Sequence, residues 1–310
     1  MAAHREAALI GVDWGTSSLR AYLIGRDGEV LDELAADDGI TRVTDKKFGP
    51  VLSRHLGAWL QTDKKLPVVA SGMITSRQGW RETPYVSTPA SSSGLADALL
   101  IDEWNGKTIA FVSGVSHRSE AGMPDVMRGE ETQLLGLEPG DCLAVMPGTH
   151  SKWVRVKDQK IEQFSTFVTG ELYEVLSRHS FVAGLTGDQV PSGDVFQRGL
   201  EIGKSDGAGL LNRLFACRTL RLFGELEEAE LGDFLSGLII GSELAEAQAE
   251  GYDAAGAKRV IVIANDRLTD LYRKAFAMIG VEIEVPPANI AARGQWRLAS
   301  ASGLIEGENF

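Results

Sequence analysis

Near its start the chain carries an apolar run that polar residues interrupt at a single point. Residues 9–14 are apolar apart from Gly11 and Asp13, residues 15–18 are Gly-Thr-Ser-Ser, and mostly apolar residues resume at 19–24. Two buried strands joined by a glycine-containing turn produce this pattern. We therefore predict a β-hairpin of strands 9–16 and 19–25 with an exposed polar turn.

Strands and amphipathic helices alternate through the rest of the first half. Apolar residues recur at helical spacing between Val51 and Trp59, which predicts a helix over residues 48–60. A preceding glycine and a following Pro-Gly pair bound a second predicted helix, over residues 130–137. The other elements predicted here are strands at 30–35, 67–71 and 108–112 and a short helix at 95–100.

The second half repeats the layout of strand, polar turn and strand. A buried strand at 143–146, the polar turn from Pro147 to Lys152 and a strand at 153–156 form this echo. Two structurally related α/β domains would produce it, although hairpins are common enough to recur by chance. Gly237 and Gly241 predict the close approach of a neighbouring helix. The further predicted elements are strands at 161–167, 259–264 and 281–285 and helices at 231–248, 268–279 and 288–302.

Composition and charge argue against several classes of protein. The 310 residues suffice for about two domains, and the net charge of -12 disfavours nucleic acid as a partner, since binding its backbone requires a basic surface. Cys142 and Cys217 lack metal-ligand spacing, so we expect neither a disulfide nor a zinc site. Neither a signal peptide nor an apolar stretch of roughly 20 residues occurs. We therefore expect a cytoplasmic protein without a membrane partner.

The first polar turn suits a polyphosphate. Backbone amides beside Gly15 and the hydroxyls of Thr16 and Ser17 can donate hydrogen bonds to phosphate oxygens. Asp13 supplies a hard carboxylate oxygen and is the candidate ligand for Mg²⁺. A tight hairpin with a capped turn, binding no ligand, is the alternative interpretation.

Two further segments are candidates to bind the nucleotide that would carry this polyphosphate. Gly148 and Thr149 are the phosphate-binding candidates in the second turn. The polar break at Asn265 separates a predicted strand from a predicted helix, which is where an open α/β sheet offers a crevice to a ligand. A base or ribose would fit there, so Asn265 is also a candidate nucleotide contact.

Four segments together resemble the 2-dehydro-3-deoxygalactonokinase family of the sugar-kinase, Hsp70 and actin superfamily. They are D-W-G-T-S-S-x-R at 13–20, M-R-G-E-E-T-Q at 127–133, V-M-P-G-T-H-S-K-W at 145–153 and F-L-S-G-L-I-I-G at 234–241. The resemblance implies an α/β fold of two ribonuclease-H-like domains facing a central cleft. A phosphate-1 and sugar-acid domain would span residues 1–138. A phosphate-2 and adenosine domain would span 139–310, its last helix packing back towards the first domain.

The resemblance also implies a reaction, in which ATP with Mg²⁺ phosphorylates the 6-hydroxyl of 2-dehydro-3-deoxygalactonate. Such a transfer needs a carboxylate that orients the hydroxyl and accepts its proton. In related sugar kinases that carboxylate begins the first connecting helix, the position of Glu130 here, with Glu131 as the neighbouring candidate. Acidic residues are also common in a helix's first turn because the helix dipole favours them, and this structural role is the alternative.

The implied substrate carries a carboxylate of its own. Arginine recognises a carboxylate best, since its planar guanidinium pairs with both oxygens. The candidates are Arg42, Arg77 and Arg128, with Lys152 for a contact to the sugar acid or to a phosphate. Each arginine is alternatively a solvated surface residue.

Two other functions stay open at this point. One is a kinase of the same fold that acts on another acid sugar or a polyol. The other is an ATP-gated interaction protein related to the chaperone and actin branches. The sequence has neither a P-loop nor G-x-G-x-x-G after its first strand, which removes two common nucleotide sites. It leaves open whether the chain forms a homodimer.

Overall fold

The structure is a computed structural model that describes residues 7–62, 66–180, 192–205 and 209–306. Its strands are β1 (Ala7–Trp14), β2 (Leu19–Gly25), β3 (Val30–Ala36), β4 (Val68–Ser71), β5 (Tyr85–Ser87), β6 (Ala90–Ser91), β7 (Leu100–Trp104), β8 (Lys107–Phe111), β9 (Gly114–Arg118), β10 (Pro124–Met127), β11 (Cys142–Met146), β12 (Ser151–Lys157), β13 (Lys160–Phe167) and β14 (Val260–Val262). Its α-helices are α1 (Phe48–Thr62), α2 (Ser92–Asp97), α3 (Glu130–Gly136), α4 (Thr169–His179), α5 (Gly193–Lys204), α6 (Leu210–Leu214), α7 (Ala216–Leu222), α8 (Leu231–Ala249), α9 (Asp266–Ala277) and α10 (Ile290–Ala301).

The chain divides into two compact units. Unit 1 comprises the described residues within Met1–Gly140, Val156–Gln163 and Pro287–Phe310. Unit 2 comprises those within Asp141–Arg155 and Phe164–Pro286. Helix α10 therefore belongs to unit 1, although it comes last in the chain.

Unit 1 is built on a six-stranded sheet with the order β3-β2-β1-β4-β8-β7. Strand β1 pairs antiparallel with β2 and parallel with β4, so the predicted hairpin lies in the middle of the sheet. Ile10, Val12 and Trp14 of β1 are buried against Phe48 and Leu52 of α1, which is the amphipathic helix predicted from spacing. Strands β10, β9 and β5 form a second, three-stranded sheet.

Unit 2 repeats the strand order of the first hairpin region. Its strands belong to a five-stranded sheet with the order β14-β11-β12-β13-β6, and β11 pairs parallel with β14 as β1 does with β4. Helices α5 and α8 pack closely at the glycines predicted to allow it. A Cβ on Gly237 would lie 2.1 Å from the carbonyl oxygen of Phe196, and one on Gly241 would lie 2.4 Å from that of Leu200. The internal echo in the sequence therefore corresponds to a repeated topology.

Two predicted elements were wrong in kind or in place. Residues 281–285 do not form a strand; Glu284 makes an isolated bridge to Ile261, and two prolines without N–H groups follow. The helix expected at 95–100 is α2, which begins earlier because Ser91 caps it by accepting the Gly94 N–H at 3.1 Å. Among the described helices, none has the length and apolar character that spanning a bilayer requires.

Candidate active site

The first polar turn, between β1 and β2, leaves hydrogen-bond donors exposed to solvent. The Gly15 N–H bonds to the Ser18 carbonyl at 2.9 Å, which closes the turn between β1 and β2. The carbonyls of Gly15 and Thr16 accept the N–H groups of Ile40 and Thr41 at 3.0 and 3.3 Å, which anchors the turn from behind. Thr16 and Ser17 are exposed, and within the described ranges no protein acceptor takes their N–H groups. The turn therefore offers amides and hydroxyls to an anion.

Asp13, Gly72 and Glu130 come from three elements that meet in unit 1. Asp13 lies at the carboxyl end of β1, and Gly72 directly follows the parallel strand β4. A Cβ on Gly72, whose φ is +90°, would lie 3.1 Å from Asp13 Oδ1. Gly129 precedes Glu130 with φ +109°, and a Cβ there would lie 3.2 Å from the Gly72 Cα. Two glycines thus let the start of α3 approach the end of β1.

The two glutamates at the start of α3 lie in different environments. Glu131 is fully buried, and its carboxylate accepts the Gly129 N–H at 2.6 Å and the Thr132 hydroxyl at 3.1 Å. Burial, reinforced by the charge of Glu130, raises the pKa of Glu131 to about 8. Glu130 is partly exposed and accepts the Arg128 backbone N–H at 3.0 Å. Glu131 therefore closes the helix start, whereas Glu130 keeps carboxylate surface open to a ligand.

Asp13 has the electrostatics expected of a cation ligand. Burial raises its pKa to about 6, the charge of Arg20 opposes that rise, and the charge of Glu130 adds to it. A divalent cation would relieve the repulsion between these two carboxylates. The described residues contain no group of three or more potential metal ligands. Mg²⁺ needs only one or two carboxylates when waters and nucleotide phosphates complete its shell, so Asp13 fits this metal.

Arg128 is held in a fixed orientation by neutral groups. One guanidinium nitrogen donates to the hydroxyls of Thr75 and Thr83, both at 2.6 Å, and the other donates to the Thr83 carbonyl at 3.0 Å. The guanidinium also lies over the Tyr85 ring, 4.5 Å from its centroid. Its buried Nε has no hydrogen-bond partner in the structure. In the described part of the chain this guanidinium therefore has oriented neighbours and no carboxylate to balance its charge.

The other predicted contacts to the sugar acid lie in different surroundings. Arg42 and Arg77 are exposed, and no hydrogen bond or ion pair to another described residue holds either guanidinium. Lys152 is buried in unit 2, where its ammonium donates to the Thr166 hydroxyl at 2.8 Å. All three stay predictions. Arg128 differs from the two exposed arginines because hydrogen bonds to Thr75 and Thr83 orient its guanidinium.

The second polar turn lies between β11 and β12 and packs against the start of α4. Thr149 and His150 are exposed, and the Thr149 carbonyl accepts the Glu171 N–H at 2.9 Å. A Cβ on Gly170 would lie 2.2 Å from the Gly148 carbonyl oxygen, so only glycine permits this approach. His150 Nε2 lies 2.7 Å from Glu171 Oε2. The turn is therefore braced on one side by α4, with Thr149 facing solvent.

A pocket in unit 2 opens beside this turn. Asn265 does not line it, because its side-chain oxygen accepts the Leu268 N–H at 3.0 Å and caps α9. Asn265 thus fixes the first turn of α9 and stays a prediction as a nucleotide contact. The residues that line the pocket include Pro147, Gly148, Gly170, Tyr173, Arg267, Leu268 and Tyr272.

Sequence reasoning missed several residues that shape these sites. Thr75, Thr83 and Tyr85 orient Arg128, but two isolated threonines and one tyrosine form no recognisable pattern in the sequence. Arg267 lies only two positions after the predicted Asn265, but no pattern in the sequence distinguishes it from other exposed arginines. Glu243 had a usable signal, since it lies within the apolar stretch of a long helix and must find buried partners there.

Known proteins similar to this chain match it over most of its length. The matching family is described as 2-keto-3-deoxy-galactonokinase and covers residues 13–298. The 2-dehydro-3-deoxygalactonokinase of Escherichia coli strain K12 is 38% identical over 282 residues, covering 89% of this chain and 92% of that protein. A protein of Rhizobium meliloti strain 1021, named a probable 2-dehydro-3-deoxygalactonokinase, is 37% identical over 289 residues, covering 91% and 93%.

A solved structure extends the likeness to the fold. The crystal structure of a Sinorhizobium meliloti protein, provisionally described as a 2-dehydro-3-deoxygalactonokinase, superposes with a TM-score of 0.85 at 35% identity, covering 94% of this chain and 98% of that one. The fold is accordingly the α/β fold of the sugar-kinase, Hsp70 and actin type, as the sequence predicted. The family match includes the two polar turns, the start of α3 and most of α10. This chain belongs to the 2-keto-3-deoxy-galactonokinase family.

Proposed function

We propose that this protein is an ATP-dependent kinase that phosphorylates the 6-hydroxyl of 2-dehydro-3-deoxy-D-galactonate, a step in galactonate catabolism. The products would be ADP and 2-dehydro-3-deoxy-6-phospho-D-galactonate. The observation that carries the proposal is the arrangement in unit 1, where the accessible Glu130 carboxylate lies near Asp13 and accepts the backbone N–H of Arg128, whose guanidinium has no carboxylate partner among the described residues. Family membership supports the same reaction.

Glu130 is the proposed general base. Its carboxylate would accept the proton of the 6-hydroxyl as the oxygen attacks the γ-phosphorus and the bond to the ADP oxygen breaks. The backbone N–H of Arg128 donates to one Glu130 carboxylate oxygen at 3.0 Å, which orients the carboxylate without neutralising its charge. Glu131 is unsuited to this role because it is fully buried and already accepts two hydrogen bonds.

Arg128 is the proposed partner of the substrate carboxylate. Its orientation is set before the substrate arrives, so little side-chain entropy is lost on binding. The missing carboxylate partner among the described residues favours an incoming anion. A neutral sugar would leave this charge unpaired, which provides selectivity for an acid sugar over a polyol.

The two polar turns are the proposed phosphate contacts. Thr16 and Ser17 would donate amides and hydroxyls, and the Gly15 N–H closes the turn on the Ser18 carbonyl. In unit 2, Gly148 and Thr149 would contribute in the same way, and the pocket beside them would take part of the nucleoside. Asp13 would hold Mg²⁺, which neutralises phosphate charge when it is bound.

A coupled assay of ADP release tests this function. The purified protein is supplied with ATP, Mg²⁺ and in turn with 2-dehydro-3-deoxy-galactonate, its gluconate epimer, another acid sugar and a polyol. We expect release that depends on the galactonate compound, with mass spectrometry locating the phosphate on carbon 6. Preference for another compound would support a kinase of the same fold with a different substrate. Slow ADP release that no sugar stimulates would overturn the kinase proposal in favour of an ATP-gated interaction protein.

A further inference from the structure

One carboxylate in unit 2 is enclosed and has no part in the reaction described so far. Glu243 lies on α8 and is 3% exposed. Its Oε1 accepts hydrogen bonds from Ser151 Oγ at 2.8 Å and Trp153 Nε1 at 2.7 Å. Its Oε2 accepts the Tyr272 hydroxyl at 2.6 Å and the Thr169 hydroxyl. Four donors thus occupy the acceptor positions of one carboxylate.

Two of these donors, Ser151 and Thr169, come from the segments that build the second polar turn. Ser151 is the first residue after the turn, at the start of β12. Thr169 directly precedes Gly170, the residue whose missing Cβ allows α4 to approach Gly148. Glu243 is therefore linked to the turn from both of the elements that hold it.

The same carboxylate lies next to the pocket beside the turn. Helix α8 lines that pocket through Ser236, Ile239 and Ile240, and Tyr272 of α9 lines it from another side. Glu243 follows Ile239 and Ile240 by four and three positions, which puts it on the same face of the helix, one turn further along. Thr169 and Tyr272 line the pocket and also donate to Glu243.

A buried carboxylate is costly, so its retention needs a reason. Burial raises the pKa of Glu243, and the hydrogen bonds from Thr169, Tyr272, Trp153 and Ser151 oppose that rise. Glutamine cannot replace Glu243 in this role, since it would present an NH₂ group to two of the four donors, and the aspartate carboxylate is one methylene closer to the backbone. The bonds thus fix β12, α4 and α9 relative to α8.

We propose that Glu243 is a positioning residue that holds the Gly148 and Thr149 turn and the adjoining pocket in the geometry that binds nucleotide. The inference rests on the proposed function of that turn and pocket as the ATP site. Glu243 acts through Ser151, Thr169 and Tyr272 and does not itself touch the nucleotide.

Two variants and a matched control test the assignment. Glu243→Gln keeps the size of the side chain and removes its second acceptor oxygen. Ser151→Ala removes a single bond to Glu243, from a residue that does not line the pocket. Ser242→Ala is the control, because Ser242 is also buried on α8 but donates to the carbonyls of Leu238 at 2.9 Å and Gly203 at 3.3 Å.

The readouts are the Kd of ADP with Mg²⁺, measured by titration calorimetry, and separate KM values for ATP and for the sugar acid. We expect Glu243→Gln to weaken ADP binding and raise the KM for ATP roughly 10- to 100-fold, since small displacements of binding groups have effects of this size. Ser151→Ala should shift both quantities in the same direction by a smaller factor. The KM for the sugar acid should change less than about twofold in both variants, and Ser242→Ala should leave ADP binding unchanged even where its melting temperature falls.

The inference is overturned if Glu243→Gln and Ser151→Ala both bind ADP as the wild type does, whatever their melting temperatures. Should Glu243→Gln fail to fold, the comparison of Ser151→Ala with Ser242→Ala decides the question alone. Failure of the proposed function gives a different result, namely a wild type that binds ADP but transfers no phosphate to the sugar acid. In that case the ADP comparison still tests the role of Glu243.

Discussion

A Cβ atom on Gly129 would lie 3.2 Å from the Cα of Gly72, so the two backbones are in direct contact. Both glycines have positive φ, +109° and +90°, which other residues adopt only with strain. This contact brings the start of α3, and with it Glu130, to the carboxyl end of β1 near Asp13. The geometry of the candidate active site in unit 1 therefore depends on two residues without side chains.

Gly129→Ala should impair both stability and turnover. Strain at positive φ and the close contact with Gly72 should cost about 1–3 kcal/mol of unfolding free energy and should displace Glu130. Gly122→Ala is the control, since Gly122 also has positive φ, +80°, but a Cβ there would meet nothing within 4 Å. Melting temperatures and kcat of both variants are the measurements. Equal kcat values in the two variants would contradict a role for the Gly72 contact in catalysis.

Glu130→Gln should remove most of the turnover while leaving nucleotide binding intact. General-base catalysis by a positioned carboxylate contributes about 10²- to 10⁴-fold, so kcat should fall within that range. The Kd of ADP, measured by calorimetry, should change less than about twofold. Glu131→Gln serves as the comparison and should retain far more activity. If Glu130→Gln stays active and Glu131→Gln does not, the base is Glu131.

Glu131 should make the stability of the protein depend on pH. Its pKa of about 8 in the folded protein lies above the ordinary value of 4.5, so the folded state binds the proton more tightly than the unfolded state. The resulting stabilisation is complete below about 4.5 and is lost as the pH rises through about 8. The melting temperature of the wild type should therefore fall over this interval relative to Glu131→Gln, which has no proton to lose. Parallel melting curves for the two proteins across the interval would refute this.

Arg128→Ala should weaken binding of the sugar acid specifically. Hydrogen bonds to a charged group contribute about 1.5–3 kcal/mol, so the KM for the sugar acid should rise roughly 10- to 100-fold while the KM for ATP is unchanged. Arg77→Ala is the matched control and should change neither KM by more than about twofold. A substrate analogue with an amide in place of the carboxylate should be discriminated by the wild type and not by Arg128→Ala. Loss of sugar-acid binding in Arg77→Ala instead would transfer the role to that residue.

Local patterns in the sequence were sufficient for the framework of the protein. The β1 and β2 hairpin, helix α1, the start of α3 and the second polar turn were all predicted, because apolar periodicity and turn residues act over a few positions. The repeated order of strands was expected from the echo between the two hairpins. The strand predicted at 281–285 was wrong. The alternating residues there run along the edge of the sheet but make only one bridge, from Glu284 to Ile261, which is too little pairing for a strand.

The sequence by itself determined the family and the fold and pointed to the short segments proposed to carry the chemistry, because those properties are encoded in contiguous residues. Only the tertiary structure separated Glu130 from Glu131, since their difference lies in how far each is buried. It likewise distinguished Arg128 from Arg42 and Arg77, through partners that are 45 and 53 positions away in the chain. The partners of Glu243 lie 29 to 92 positions from it. Burial and hydrogen bonding between distant residues are set by packing, and no local pattern specifies which distant side chains will meet.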